Sequence, residues 1–443
     1  MNASAQGISL TLHLDRENLK ERAGFLPDWL QSEIQSRGLL AGKDSNRISF
    51  CGLMMNGQDL RIFMPRRAIL ETGDTQSLNY AVLLTTCIER YARTSKTTVF
   101  AGNKADTSLN TDTLPLIREL LEDYQHSGPY IRSFLKRTVN SGKTDWKRTI
   151  NSTTAFPDSL GRPVYPTLLG QRTAYAARCE VARIHFAVIA KFDKRFGWWI
   201  TGNTTGRVAP EISEDDQLLL QKDYCLHILN QELISCYADR DIRLVRNLIR
   251  FFKDDEGAHA GTVVVGLKEF HWAWEAMLGK ILSNTISLTD ELPVPSYKQR
   301  DGSEIIAQNN KMRPDCIISN NDVTKVVIID AKYYDATRSD NTPPLKDIVK
   351  QLFYAKAIRK IKNKADIGNA FIFPGNDMLF TSLNLKNSSS NICFDNEFPT
   401  ISCFYADPLT VMRYYADKGI WFALEEMLLS DSVYINKDED GSC

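Results

Sequence analysis

The chain has 443 residues with 54 Lys and Arg against 54 Asp and Glu, so no whole-protein field draws it to a polyanion and any such site must be local. With 43% hydrophobic, 10% aromatic and 24% charged residues its composition excludes disorder, collagen and coiled coil as descriptions of the whole. The length, about three times a common domain size, implies two or three domains. Met1 to Lys20 lacks the basic start, apolar centre and small-residue cleavage site of an export signal. Apolar stretches such as Ile184 to Ala190 fall far short of the ~20 residues of a spanning helix. Nine scattered cysteines, never in a CxxC pair, encode neither a disulfide framework nor a zinc knuckle, and a reducing cytoplasm is expected. The six histidines show no metal-ligand spacing.

In chain order, Ile48 to Leu70 carries β-branched and aromatic residues on both sides of Asn56-Gly57, which predicts a hairpin. Tyr80 to Thr94 and Leu114 to Tyr124 have apolar residues at helical spacing and read as amphipathic helices. The N-terminal part is then mixed α and β. Between Ile131 and Ile200 thirteen Lys or Arg stand against four acids, with Trp146, Trp198 and Trp199 among them. Cations meet phosphates and rings stack on unpaired bases, which makes Lys143, Lys147 and Arg148 candidate nucleic-acid contacts. The competing reading makes the tryptophans core and the cations a solvated face. Ser213 with Asp216 three residues on predicts a helix start. That helix runs on to Phe252 and breaks near Ala238 to Asp241. The polar loop Lys253 to Gly261 places a border near residue 255, separating residues 1–254 from a C-terminal domain, 255–443.

The chemistry-bearing residues lie in that second part. Phe270, Trp274, Met277, Leu278 and Ile281 form one apolar helix face, bordered by Glu275. Cys316 to Ser319 is a short apolar strand, and Thr324 to Lys332 is a second of the kind found in the middle of a sheet. Asp315 opens the first. Asp330 and Lys332, two apart, share one face of the second. An antiparallel hairpin would bring these groups together, and two carboxylates beside an ammonium suit Mg2+, which takes a few carboxylate oxygens and binds phosphate alongside. Glu275 would add a third carboxylate. Pro343 to Ile361 reads as a helix whose Gln351 and Tyr354, about one turn apart, could face the same cleft. Asn369 to Gly375 and Thr400 to Asp407 read as further strands. The ordinary alternative, a solvated salt bridge at strand ends, explains poorly an apolar run leading straight into Asp330.

Pro314-Asp315 followed by Asp330-Ala331-Lys332, in the order helix, strand, strand, helix, strand, resembles the PD-(D/E)xK nuclease superfamily. FHWAWE (270–275), RPD (313–315), IIDAKYY (328–334) and KQLFYAKA (350–357), with SGKTDWKRTI (141–150) and GRPVY (161–165), are similar to the McrC and LlaJI group of restriction endonuclease subunits. The resemblance implies an α/β protein: a mixed α/β N-terminal region for partner docking and DNA binding, then a restriction-endonuclease-like domain with a central mixed sheet flanked by helices. It implies a DNA endonuclease subunit of an anti-phage restriction system, working with a McrB-like AAA+ GTPase and oligomeric within that complex. Asp315, Asp330 and Glu275 would hold Mg2+, with Mn2+ as a substitute. Lys332 would assist the attacking water, Gln351 would complete the catalytic set, and Tyr354 would join Lys143, Lys147 and Arg148 on the nucleic acid. Gly142-Lys143-Thr144 matches the end of a phosphate-binding loop, but Arg137 stands where a Gly is needed, so nucleotide binding is assigned to the partner. Two other readings are a catalytically silent subunit that activates an NTPase and a stand-alone nuclease acting on RNA or damaged DNA.

Overall fold

The computed structural model describes residues 8–18, 26–41, 46–98, 108–109, 113–176, 179–253, 262–307, 311–387, 389, 392–394 and 398–435. The chain forms two compact units, one from Pro115–Ala260 and the other from Gly7–Leu114 together with Gly261–Cys443. The second unit starts with β1 (Ser9–Leu14), α1 (Asp28–Ser36), β2 (Cys51–Asn56), β3 (Asp59–Met64), α2 (Asp74–Thr98) and β4 (Ser108–Leu109). β2 and β3 form the predicted hairpin, with Asn56 opposite Asp59 and Gly57 at φ +59° making the reversal without steric cost. β1 joins β3 in parallel. Leu30 and Ile34 of α1 cover this sheet through Phe50, Met54 and Phe63.

The first unit comprises α3 (Thr113–Ser127), β5 (Arg132–Val139), β6 (Lys143–Thr144), α4 (Trp146–Ser152), β7 (Phe156–Pro157), β8 (Pro163–Val164), β9 (Leu169–Ala176), α5 (Glu180–Thr201), α6 (Asp216–Leu219), α7 (Lys222–Ser235) and α8 (Asp239–Lys253). β5, β9 and β6 make a small antiparallel sheet. α5 is buried along most of its length and carries Trp198 and Trp199 into the core, while Trp146 is exposed. The basic segment's rings thus divide between the two readings. Buried Asp193 anchors the chain after α5: it pairs with Arg207 Nε at 2.7 Å and accepts the N–H groups of Val208 and Ala209 at 2.6 and 3.1 Å. The long helix expected from Ser213 is three helices. Its first cap is Asp215, whose side chain accepts the Leu218 N–H at 3.1 Å, not Ser213. The chain breaks again between α7 and α8, near the expected place.

The second unit resumes with β10 (Thr262–Leu267), α9 (His271–Ile281), β11 (Ser296–Lys298), β12 (Glu304–Ile306), β13 (Cys316–Ser319), β14 (Lys325–Ala331), α10 (Leu345–Ile361), β15 (Asp366–Pro374), β16 (Ser382–Leu383), β17 (Ile401–Ala406), α11 (Pro408–Asp417), α12 (Phe422–Asp431) and β18 (Tyr434–Ile435). The expected border near 255 needs correction here. β10 pairs antiparallel with β2 and β4, so strands β1–β4 share a sheet with the C-terminal part and fall in one compact unit with it. The loop read as the border, 254–261, lies outside the described residues. A second, mixed sheet runs β13-β14-β15-β17-β16, with β14, β15 and β17 parallel and β13 antiparallel to β14. α10 packs on one face through Leu352, Tyr354, Ala355 and Ile358, and α9 and α12 also pack against β14. Helices on both faces explain why β14 is apolar at nearly every position. No helix among the described residues is long and apolar enough to cross a membrane. The eight described cysteines are free.

Candidate active site

The β13–β14 ladder sets Cys316 opposite Ile329, and its next step brings Asp315 opposite Asp330. The Ala331 N–H donates to Asp315 Oδ2 at 2.9 Å and fixes that carboxylate across the hairpin. Asp330, 3% exposed, shares its face of β14 with Ile328 and with Lys332 just beyond. Lys332 Nζ lies 2.8 Å from Asp330 Oδ2 and 3.3 Å from Asp347 Oδ2, at the first turn of α10. The contact with Asp330 is a close ion pair between two largely buried groups.

The electrostatics follow from this crowding. Asp315 is pushed up to about 8, first by burial, then by the nearby charges of Asp330 and Glu275 and a hydrogen bond with Asp330, against the pull of the Ala331 N–H. For Lys332 burial is the largest influence and disfavours the charged ammonium. The carboxylates of Asp330, Asp347 and Asp315 outweigh it and hold Lys332 above its ordinary value. Two buried acids facing each other can share a proton or a cation, and Lys332 at 2.8 Å offsets only part of their combined charge. Mg2+ binds through one or two carboxylates and keeps several waters, so the pair Asp315 and Asp330 fits it.

The structure brings together Asp315, Asp330 and Lys332, with Glu275 close enough for its charge to act on Asp315. Among the described residues no three His, Cys, Asp or Glu side chains stand close enough to hold a metal ion together. Glu275 thus lies outside the carboxylate pair, which corrects its expected place as a third ligand in this conformation. Gln351 does not face a cleft. It is 1% exposed, and its Nε2 donates to the Ile328 carbonyl at 2.9 Å and the Ala370 carbonyl at 3.5 Å, tying α10 to β14 and β15. Tyr354 is also buried, in the core between α10 and the sheet, where its hydroxyl accepts the Arg313 N–H at 3.2 Å, so it is not placed to touch a polynucleotide. Both residues point inward because α10 turns its 351–354–355–358 face to the sheet. Lys143, Lys147 and Arg148 belong to the other compact unit. Lys143 lies in the β6–β9 ladder, Lys143 and Lys147 are exposed, and half-buried Arg148 donates its backbone N–H to Asp145 Oδ1, the cap of α4, at 3.1 Å.

Asp347 was missed in the sequence, although it stands one helical turn before Gln351 in the first turn of a predicted helix. Tyr333 was missed as well. Its hydroxyl accepts the Arg66 N–H at 2.9 Å, and its carbonyl accepts from Arg66 Nη1 at 3.1 Å, so the loop after β3 grips the residue next to Lys332. Nothing local in the sequence announces a contact 267 residues away.

Fold and site together define a mixed α/β protein with a buried pair of carboxylates and a lysine at the tips of two paired strands, a donor set suited to a divalent cation. A sequence profile described as LlaJI restriction endonuclease matches residues 50–389. The chain belongs to the LlaJI restriction endonuclease family. It is 23% identical over 358 residues to the Type II restriction enzyme BsuMI component YdjA of Bacillus subtilis (strain 168), a match covering 78% of this chain and 76% of that protein. Among solved structures, a chain of the refined half-complex from the tetradecameric assembly of Thermococcus gammatolerans McrB AAA+ hexamers with bound McrC is similar at 10% identity and a TM-score of 0.40, over 93% of this chain and 99% of that one.

Proposed function

We propose that this chain is the Mg2+-dependent, DNA-cutting subunit of a McrBC-like restriction system, acting in the cytoplasm with a McrB-like AAA+ GTPase. The observation that carries the reading is the convergence of Asp315, Asp330 and Lys332 at one buried strand tip. Membership of a restriction endonuclease family and likeness to a component of the BsuMI restriction enzyme support it. The partner rests on the resemblance of RPD, IIDAKYY and KQLFYAKA to the McrC and LlaJI group. A nucleotide site of the chain's own has little support, since Lys143 and Thr144 form a ladder strand and no phosphate-cradling loop.

In this reading Asp315 and Asp330 hold the cation, which would polarise the scissile phosphate and acidify an attacking water. The Ala331 N–H keeps the Asp315 carboxylate turned to the site. Asp330 and Asp347 hold the Lys332 ammonium in place to orient that water or to neutralise charge growing on phosphate oxygen. Glu275 adds negative charge from α9. Gln351 locks the helix that carries Asp347 to the sheet.

Asp330→Ala and Lys332→Ala should abolish Mg2+-dependent cleavage by the complete complex while leaving assembly with the GTPase intact. Cleavage at the wild-type rate by either variant complex would refute the assignment. GTP hydrolysis stimulated by the wild-type chain, with no cutting of any DNA, would instead make it a silent activating subunit.

A further inference from the structure

Beside the carboxylate pair, α10 presents a face that the site itself does not use. The helix carries Lys346, Lys350, Lys356, Arg359 and Lys360 against one acid, Asp347, which is occupied by Lys332. An α-helix turns about 100° per residue. Starting from Asp347 and moving round one side, Lys350, Lys346, Phe353 and Lys360 follow at about 60, 100, 120 and 140°. These four are exposed, as are Val349 and Lys356 at the far edge of the arc. Phe353 keeps 59% of its surface in solvent although Leu352 and Tyr354 on either side of it are buried. Lys346, Lys356 and Lys360 make no ion pair among the described residues. The stripe therefore starts beside Asp347, which lies 3.3 Å from the Lys332 ammonium, and leads away from the catalytic cluster.

Core packing explains the buried side of α10 but not this one. Phe353 is one of several large apolar side chains left exposed, but it is the exposed ring set among ammonium groups on the helix that carries Asp347. Cations at this spacing meet successive phosphates, and an exposed ring between them stacks on a base. The rise of ~1.5 Å per residue separates Lys346 from Lys360 by ~21 Å, the span of about six nucleotides of one strand.

We infer that the exposed face of α10, formed by Lys346, Lys350, Phe353, Lys356 and Lys360, is the track that holds the DNA strand flanking the cleaved phosphate. The lysines bind its phosphates and Phe353 stacks on an unpaired base. This rests on the proposed DNA-cutting role of the neighbouring carboxylates but makes a separable claim about binding.

The test uses the full-length chain carrying Asp330→Asn, so that DNA is bound and not consumed, and fluorescence anisotropy with a labelled DNA containing a short single-stranded gap, titrated at several salt concentrations. Replacing Lys346, Lys356 and Lys360 together by Gln should flatten the dependence of log affinity on log salt by about 2–3 units, with the triple Arg replacement restoring it. Phe353→Ala should weaken binding to the gapped DNA by about fivefold or more while leaving the salt slope unchanged. An unchanged slope and affinity in the triple Gln protein, with its thermal unfolding intact, overturns the inference. If Phe353→Ala instead abolishes co-assembly with the GTPase and spares DNA affinity, the face belongs to a protein partner and the inference is again overturned. Cutting by the wild-type complex is scored separately. A chain that cuts but ignores these replacements sinks only the track, and one that binds through the track but never cuts sinks only the nuclease reading.

Discussion

At the scale of single residues, the site depends on groups that restrain one another. Lys332 is useful only if its ammonium stays put, and Asp347 supplies one of its two anchors at 3.3 Å. Asp347→Asn should leave Lys332 paired with Asp330 alone and lower the cleavage rate about 10–100-fold, the usual cost of losing a residue that orients a site; a rate within twofold of wild type would remove Asp347 from the mechanism. Asp330 and Lys332 were legible from their two-residue spacing on an apolar strand, whereas Asp347 reaches the site only because α10 folds back over β14. A second buried group sets a pH limit on the first unit. His185, fully buried, accepts the Tyr130 N–H at Nδ1 at 3.1 Å. Burial, aided by the Arg240 charge and opposed by Asp123, lowers it to about 4 from 6.5. Between those values the unfolded chain binds a proton that the folded one refuses. Stability should therefore fall as pH drops from about 7 to about 4, by up to about 3 kcal/mol, and no further below that. Urea unfolding of wild type and His185→Gln at pH 7 and pH 5 checks this: the pH-dependent difference should shrink in the variant.

At the scale of elements, periodicity identified the pieces and local chemistry fixed their ends only in part. The hairpin around Gly57, the helix of Phe270 to Ile281 and the two strands of the site follow from two- and 3.6-residue spacing of apolar residues. The cap of α6 was misplaced by two residues, since Asp215 and Ser213 are both good caps and only backbone geometry selects between them. Close approach of elements is less visible still. Gly52 lies opposite Gly266 in the β2–β10 ladder, and a methyl group on Gly52 would meet the Val265 carbonyl at 2.2 Å and the Phe50 ring at 2.6 Å. Gly52→Ala should cost about 1–3 kcal/mol through this overpacking, measured as a drop in the denaturant midpoint at unchanged slope. A variant as stable as wild type would show that the ladder shifts to make room.

At the scale of the whole molecule, one unit interrupts the other. The chain leaves the larger unit after β4 and returns at β10, and those two strands pair, with Leu109 opposite Gly266. Neighbouring exit and entry points are what an inserted domain requires. Replacing residues 113–260 by a Gly/Ser linker of about 6–8 residues, enough to span the gap at ~3.3 Å per residue, should leave a cooperatively unfolding protein that still shows Mg2+-dependent thermal stabilisation. Loss of a single sharp transition would mean that the larger unit needs the insert to fold. The sequence by itself determined the strand carrying Asp330 and Lys332, its antiparallel partner carrying Asp315 and the apolar helix faces around them, because all of these are written in short-range periodicity. Only the tertiary structure decided that Gln351 and Tyr354 turn inward, that Glu275 lies outside the carboxylate pair, and that residues 7–114 complete the C-terminal unit. Those outcomes depend on which surfaces far apart in the chain bury each other, and no local pattern encodes that choice.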